Sequence, residues 1–292
     1  MPTPEILSAL TTPFDESGAL DLDSFTRRLH DANSALDGVF VAGTTGEFLA
    51  LEDDERVQLA AAALDVCGPD RTVVHVGAAS TRQSLRLTER IAVLGATRFA
   101  AITPYYLRST PAGISRHWTA IQRECGGELF GYVFPDVAGT DLQPSELEQV
   151  LDSGIAGLKV SGAASARVGG YVAHAPEGFR ILSGNDAALP STMRDGGVGA
   201  VSGVSGAAPS LWASLRSALV ADDAPAIDQA QQAIGRLVPL LGPSIASIKH
   251  AHRLLTGDTG VCRMVIDQPD AETRAEIERT LRSLGLAAGA VA

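Results

Sequence analysis

Two lysines serve the whole chain, Lys159 and Lys249; arginine supplies nearly all other positive charge. Lys159 sits in Gly154-Ile155-Ala156-Gly157-Leu158-Lys159-Val160, a short apolar run bounded by glycine that reads as a buried strand. An ammonium drawn out of water loses basicity, and the free amine it leaves can add to a carbonyl and condense to an imine. Taken alone, a strand-end lysine that snorkels to water is the commoner case. Tyr132, in Leu129-Phe130-Gly131-Tyr132-Val133-Phe134, is a phenol able to pass protons to such an amine and its substrate, although a structural tyrosine has the same local pattern. Gly43-Thr44-Thr45-Gly46 follows another apolar run. Its glycines free backbone N–H groups to turn toward an anion and its threonines add hydroxyl donors, so it could hold a carboxylate. An ordinary tight turn would look the same. No Gly-Lys-Ser/Thr follows, so it is not a phosphate loop of the nucleotide-binding kind.

The remaining polar candidates are weaker. Tyr105 and Tyr106 follow Pro104 and read as an interface or a substrate wall. Glu47 is assigned a supporting hydrogen bond, because a free carboxylate would oppose an anionic substrate. None of the six histidines makes an HxxxH or HExxH pair, and His250 and His252 read as surface or interface residues. Cys67, Cys125 and Cys262 have neither disulfide nor zinc spacing. The net charge of −11 argues against nucleic acid and anionic membranes as partners. No apolar run reaches the about 20 residues of a membrane span. Met1 to Glu5 has no basic stretch leading into an apolar one, so a soluble cytoplasmic protein is expected.

Strands must bring these residues together. The pattern predicts them at Ile6–Thr12, Gly38–Ala42, Thr72–Val76, Phe99–Ile102, Leu129–Phe134, Gly154–Val160, Phe179–Leu182 and Gly199–Ser202, alternating with helical segments that include Pro144–Leu151, Ala163–Ala173 and Asp186–Arg194. Eight β-then-α units without a linker point to parallel strands with crossover helices, and their number suits a closed (β/α)8 barrel over residues 1–205. An open doubly wound sheet is disfavoured because the first turn has no GxGxxG. Residues 206–292 read as a C-terminal helical subdomain. In such a barrel chemistry gathers at the C-terminal ends of the strands. That places Thr11, Thr12, the Gly43 to Glu47 loop, Tyr105, Tyr106, Tyr132, Lys159, Gly184, Asn185 and Ser202 on one face.

In order, Leu10-Thr11-Thr12-Pro13-Phe14, Gly43-Thr44-Thr45-Gly46-Glu47, Thr103-Pro104-Tyr105-Tyr106, Tyr132 with Pro135, Gly157-Leu158-Lys159 and Gly184-Asn185-Asp186 resemble the dihydrodipicolinate synthase / N-acetylneuraminate lyase family of Schiff-base aldolases. The resemblance covers residues 5–205, and the helical tail fits the family's C-terminal region. It implies a TIM barrel and a class I aldolase or lyase in which Lys159 condenses with pyruvate or another 2-keto acid. The substrate carboxylate would lie at Thr44 and Thr45, and Tyr132 would carry protons. Thr45 would link Tyr132 to Tyr106, which in the family reaches into a neighbouring subunit. Gly184, Val201 and Val137 complete the expected substrate pocket. The implied reaction uses no metal or organic cofactor, only the lysine imine; its partners are a small keto acid and an aldehyde, and the chain would be a homodimer or homotetramer.

The chain also departs from the family pattern. Synthases that take aspartate semialdehyde carry arginine where this chain has Val137; Arg108 and Arg194 are the alternatives that could replace it. Phe48 stands where serine is frequent, Val160 where an acid commonly follows the lysine, and the region around Gly206 lacks the usual asparagine. The first two departures bear on the second substrate and leave the imine machinery untouched. The leading expectation is a lyase or aldolase acting next to a 2-keto acid unit, with 2-keto-3-deoxy sugar acids among the candidate substrates. The alternatives are dihydrodipicolinate (4-hydroxy-tetrahydrodipicolinate) synthase itself, a keto-acid dehydratase, and a keto-acid-binding regulator without turnover.

Overall fold

The computed structural model describes residues 3–286; Met1 and Pro2 of the N-terminal stretch, and 287–292 of the tail, lie outside the described residues. Eight parallel strands close into a barrel in sequence order: β1 (Glu5–Ala9), β2 (Gly38–Val41), β3 (Thr72–His75), β4 (Arg98–Ile102), β5 (Glu128–Val133), β6 (Gly157–Val160), β7 (Arg180–Ser183) and β8 (Gly199–Ser202), with β8 pairing back onto β1. The crossovers carry helices α1 (Leu22–Ala35), α2 (Asp53–Cys67), α3 (Thr81–Ala92), α4 (Pro111–Cys125), α5 (Pro135–Ala138), α6 (Glu148–Leu151), α7 (Val168–His174) and α8 (Leu189–Arg194). The tail adds α9 (Pro209–Ala221), α10 (Ala224–Leu241), α11 (Ile245–Thr256) and α12 (Ala271–Ser283). No described helix is long and apolar enough to cross a membrane.

The alternation of side chains along a strand sorts the sequence into layers. Leu7, Phe40, Val73, Phe130, Leu182 and Val201 point inward and fill the barrel. Val39, Val41, Val74, Leu129, Val133, Leu158 and Val160 point outward and form the main core with the helices. Below the inner layer, Arg98 and Arg180 lie over the Phe130 ring and pair with Glu5 and Glu128 at 2.6 and 2.7 Å. That closes the N-terminal end with charge and leaves the opposite end for chemistry.

Local signals explain most boundaries and most departures. The Asp21 side chain caps α1 at Ser24 N, and Ser80 caps α3 at Gln83 N. β6 starts at Gly157 rather than Gly154, whose positive φ belongs to the preceding turn. Pro144–Leu151 is not one helix but a 3-10 turn followed by the single turn α6, and a 3-10 segment, Gly162–Arg167, precedes α7. α8 opens at Leu189, three residues later than the pattern suggests. α5 was not expected from the sequence; it carries Val137.

The tail packs directly on the barrel. Trp212, Leu215, Ile234, Leu237 and Ile277 share one buried cluster with Ile6, Leu36 and Leu189. The expected surface position of His252 is wrong, because α11 packs inward and leaves that side chain 3% exposed.

Candidate active site

Lys159 and Tyr132 come to one place because β5 and β6 are neighbours in parallel register, with Tyr132 opposite Lys159. Their strand neighbours Val133, Leu158 and Val160 face outward into the core, so Tyr132 and Lys159 point into the barrel. There they sit above the inner layer on Phe40. Lys159 is 4% exposed, and its Nζ lies 4.1 Å from the centres of both the Phe40 and Tyr132 rings. Burial among these rings lowers its pKa from the ordinary lysine value to about 7, opposed by the charge of Asp186. The ring faces solvate the cation in part, but no carboxylate hydrogen-bonds to it. The amine is therefore available as a base and a nucleophile near neutral pH.

Tyr132 is fully buried, and burial pushes its phenol up to about 12 while the hydroxyls of Thr44 and Ser161 pull the other way. At neutral pH it is therefore an uncharged hydroxyl. Its hydroxyl lies 3.2 Å from Thr44 Oγ1. Within the chain the Tyr132 hydroxyl thus meets Thr44 and not the expected Thr45, whose Oγ1 lies beside Gly203. Both threonines still line the cavity.

Tyr106 is not brought into the cavity of its own chain. It stands 94% exposed, with a left-handed φ of 72°, beside Leu107, which is 75% exposed. Tyr105 instead packs edge-on against Phe48, with ring centres 5.8 Å apart.

The cavity above Lys159 has a volume of about 740 Å3. Gly184, Val201 and Val137, the expected substrate contacts, all line it. A Cβ at Gly184 would stand 2.2 Å from Ser161 Oγ, so a larger residue there would push that hydroxyl aside. Val137 is half-exposed at the mouth, and neither Arg108 nor Arg194 reaches the lining.

Sequence reasoning left Asp186 without a role. It lines the cavity, and burial lifts its carboxyl to about 6 against the pull of the Ser202 hydroxyl and the Val204 N–H. Its Oδ1 is buried without a hydrogen-bond partner. The Gly184-Asn185-Asp186 motif was the available signal. A second omission is the tail segment of Met264 and Ile266, which walls the outer cavity.

Glu47 fixes that segment. Its backbone is left-handed, with φ at 55°, and its carboxylate is fully buried. One oxygen pairs with Lys249; the other accepts the N–H groups of Arg263 and Met264, each at 2.8 Å. Lys249 also donates to Val261 O at 2.7 Å and does not line the cavity. His75 is equally structural: Nε2 accepts from Ile102 N, so Nδ1 carries the proton given to Ala42 O. Among the described residues, no group of three or more His, Cys, Asp or Glu side chains could hold a metal ion.

The model of the dihydrodipicolinate synthetase family matches residues 3–284. The chain belongs to that family. It is therefore an enzyme of the class I aldolase and lyase type. The 4-hydroxy-tetrahydrodipicolinate synthase of Xanthomonas axonopodis pv. citri is 36% identical over 213 residues, 72% of this chain and 70% of that protein. The synthase of Kosmotoga olearia is 28% identical over 290 residues, 96% of this chain and 97% of its own. Among solved structures, a prophage protein of the dihydrodipicolinic acid synthase family from E. coli K12, in complex with pyruvate, superposes with a TM-score of 0.88 at 25% identity, covering 97% of this chain and 99% of that one. A dihydrodipicolinate synthase variant described as the first monomeric one reaches 0.89 at 25% identity, covering 97% of each chain.

Proposed function

We propose that this chain is a Schiff-base lyase or aldolase that makes or cleaves a C–C bond next to a pyruvate unit, with Lys159 as nucleophile and Tyr132 as proton carrier. One observation carries the reading: a buried lysine, without a hydrogen-bonded carboxylate, opposite a buried phenol that touches Thr44. Pyruvate in a relative of the same fold supports the choice of keto acid.

The carboxylate of pyruvate takes the Thr44-Thr45 turn, where N–H groups and hydroxyls offset its charge. The Lys159 amine adds to the keto carbon. Tyr132 gives its proton to the departing hydroxide, so water leaves and a protonated imine forms. The resulting phenolate removes a proton from the adjacent methyl group, and the C–H electron pair flows to the iminium nitrogen. That enamine attacks an aldehyde carbon; the new alkoxide takes the phenol proton, and hydrolysis frees the lysine. Run backwards, the same steps cleave the bond. The imine is the electron sink.

The substrate contacts proposed are Thr44, Thr45, Gly184, Val201 and Val137. Dihydrodipicolinate synthesis itself is disfavoured, because no arginine lines the cavity to grip the carboxylate of aspartate semialdehyde. Borohydride reduction with pyruvate, followed by peptide mass mapping, tests the assignment. The expected adduct is on Lys159; an adduct on Lys249, or none, overturns it.

A further inference from the structure

The cavity is far larger than pyruvate needs. Clefts of roughly 300–1,000 Å3 hold ligands of drug size, and this one measures about 740 Å3. What fills the rest depends on the outer wall. That wall is apolar: Phe134 and Val137 from the end of β5 and α5, Ile245 and Ile248 from α11, and Met264 and Ile266 from the segment that Glu47 holds. Val265, between the last two, is fully exposed.

The charges point the same way. Among the described residues, Lys159 is the only cationic side chain in the lining, and imine formation uses it; the acids there are Asp136 and Asp186. A second anionic group on the substrate would meet two carboxylates and no counter-ion, and burying an unpaired charge is costly.

Several polar atoms of the outer wall are committed to backbone groups. Asp136 Oδ2 accepts from Ala163 N at 2.8 Å, Asn185 Oδ1 accepts from Ala187 N at 3.1 Å, and Ser165 Oγ donates to Gly162 O at 2.7 Å. Among the described residues of the lining, Asp186 Oδ1 alone is buried and unpartnered. A wall with so few free polar groups suits a ligand with few hydroxyls. It does not match the row of hydroxyls on a sugar acid.

We propose that the outer cavity is a subsite for an uncharged apolar group, so that the aldehyde partner is an aryl or branched-alkyl aldehyde and the product a 4-hydroxy-2-keto acid bearing that group. This rests on the imine chemistry proposed above. The balance is simple: the enamine carbon of bound pyruvate bonds to the aldehyde carbon, the aldehyde oxygen gains one proton from Tyr132, and hydrolysis with one water returns Lys159. No oxidant or reductant enters.

The test uses the full-length enzyme with pyruvate and four aldehydes: benzaldehyde, 3-methylbutanal, glyceraldehyde and aspartate semialdehyde. kcat/KM for each of the first two should exceed that for each of the last two at least about tenfold, the discrimination a well-filled apolar pocket provides. Met264→Ser and Val137→Ser should each lower the benzaldehyde-to-glyceraldehyde ratio several-fold; a ratio within one preparation is indifferent to partial misfolding. Preference for glyceraldehyde or aspartate semialdehyde, or ratios unmoved in both variants, overturns the subsite. Borohydride trapping of pyruvate alone keeps the two readings apart. Trapping at Lys159 without apolar preference overturns the subsite only, whereas failure to trap overturns the imine chemistry beneath it.

Discussion

A lysine that attacks a carbonyl has to be uncharged when the substrate arrives. With its pKa near 7, Lys159 meets that condition from neutral pH upward. The rate of borohydride trapping with pyruvate should climb through pH 7 and level off above about 8. Asp186 favours the ammonium form, so Asp186→Asn should move the rising limb to lower pH; a limb that stays put or moves up would show that the two groups are not coupled. The same burial costs stability. Between about 7 and the ordinary lysine value of 10.5, the unfolded chain holds a proton that the native one lacks, so this contribution to stability improves as pH rises across that window. Lys159→Met removes the penalty. Its melting temperature should exceed that of wild type at pH 7, and the gap should shrink at pH 10. At the mouth, Val137→Arg supplies the missing carboxylate grip. A charge-assisted hydrogen bond of about 1.5–3 kcal/mol corresponds to roughly ten- to hundredfold, and kcat/KM for aspartate semialdehyde should rise by that order. No gain would mean that the second substrate binds elsewhere.

Between elements, a set of buried polar contacts ties the turn after β2 to α11 and to the segment between α11 and α12. Glu47 forms a buried pair with Lys249 of α11 and accepts two N–H groups of that segment, and Arg28–Asp258 and Arg263–Glu55 add two ion pairs to the segment itself. Removing one partner of a buried pair leaves an uncompensated charge, at about 3–5 kcal/mol. Glu47→Gln and Lys249→Met should each destabilise by that order, and the double variant by much less than their sum. Additive losses in chemical denaturation would show that the pair is not a unit. The sequence reading of Glu47 as a supporting residue had the kind of role right but could not name its partner. Lys249 lies 202 positions away in a helix with no strand pattern around it. Lys159 and Tyr132 were legible because each sits in a short apolar strand whose period of two dictates direction. The Met264 segment was not, since it has no periodicity and its path is set by the backbone bonds that Glu47 accepts. The choice between Thr44 and Thr45 was equally hidden: adjacent residues of one type differ only in where a tight turn aims them.

For the whole molecule, Leu49, Tyr106 and Leu107 are large side chains left exposed to solvent. We propose that a second copy covers them, and sedimentation at assay concentration should show at least a dimer. Tyr106→Phe should then slow turnover more than it weakens keto-acid binding. Mixing Tyr106→Phe chains with Lys159→Ala chains should recover part of the activity, as intact lysines gain intact neighbours. A fully active monomer would remove Tyr106 from the mechanism. The closed barrel with its fused tail was readable from eight alternating units, but the way the tail docks was not, because helical periodicity marks a buried face without saying what buries it. That docking has a further consequence. The side chains proposed to react hang from barrel strands, while much of the lining proposed to select the aldehyde comes from the tail joined on afterwards. Selectivity can therefore drift while the chemistry stands still: a graft of the segment around 238–266 would be read out in a different choice of aldehyde and not in a different reaction.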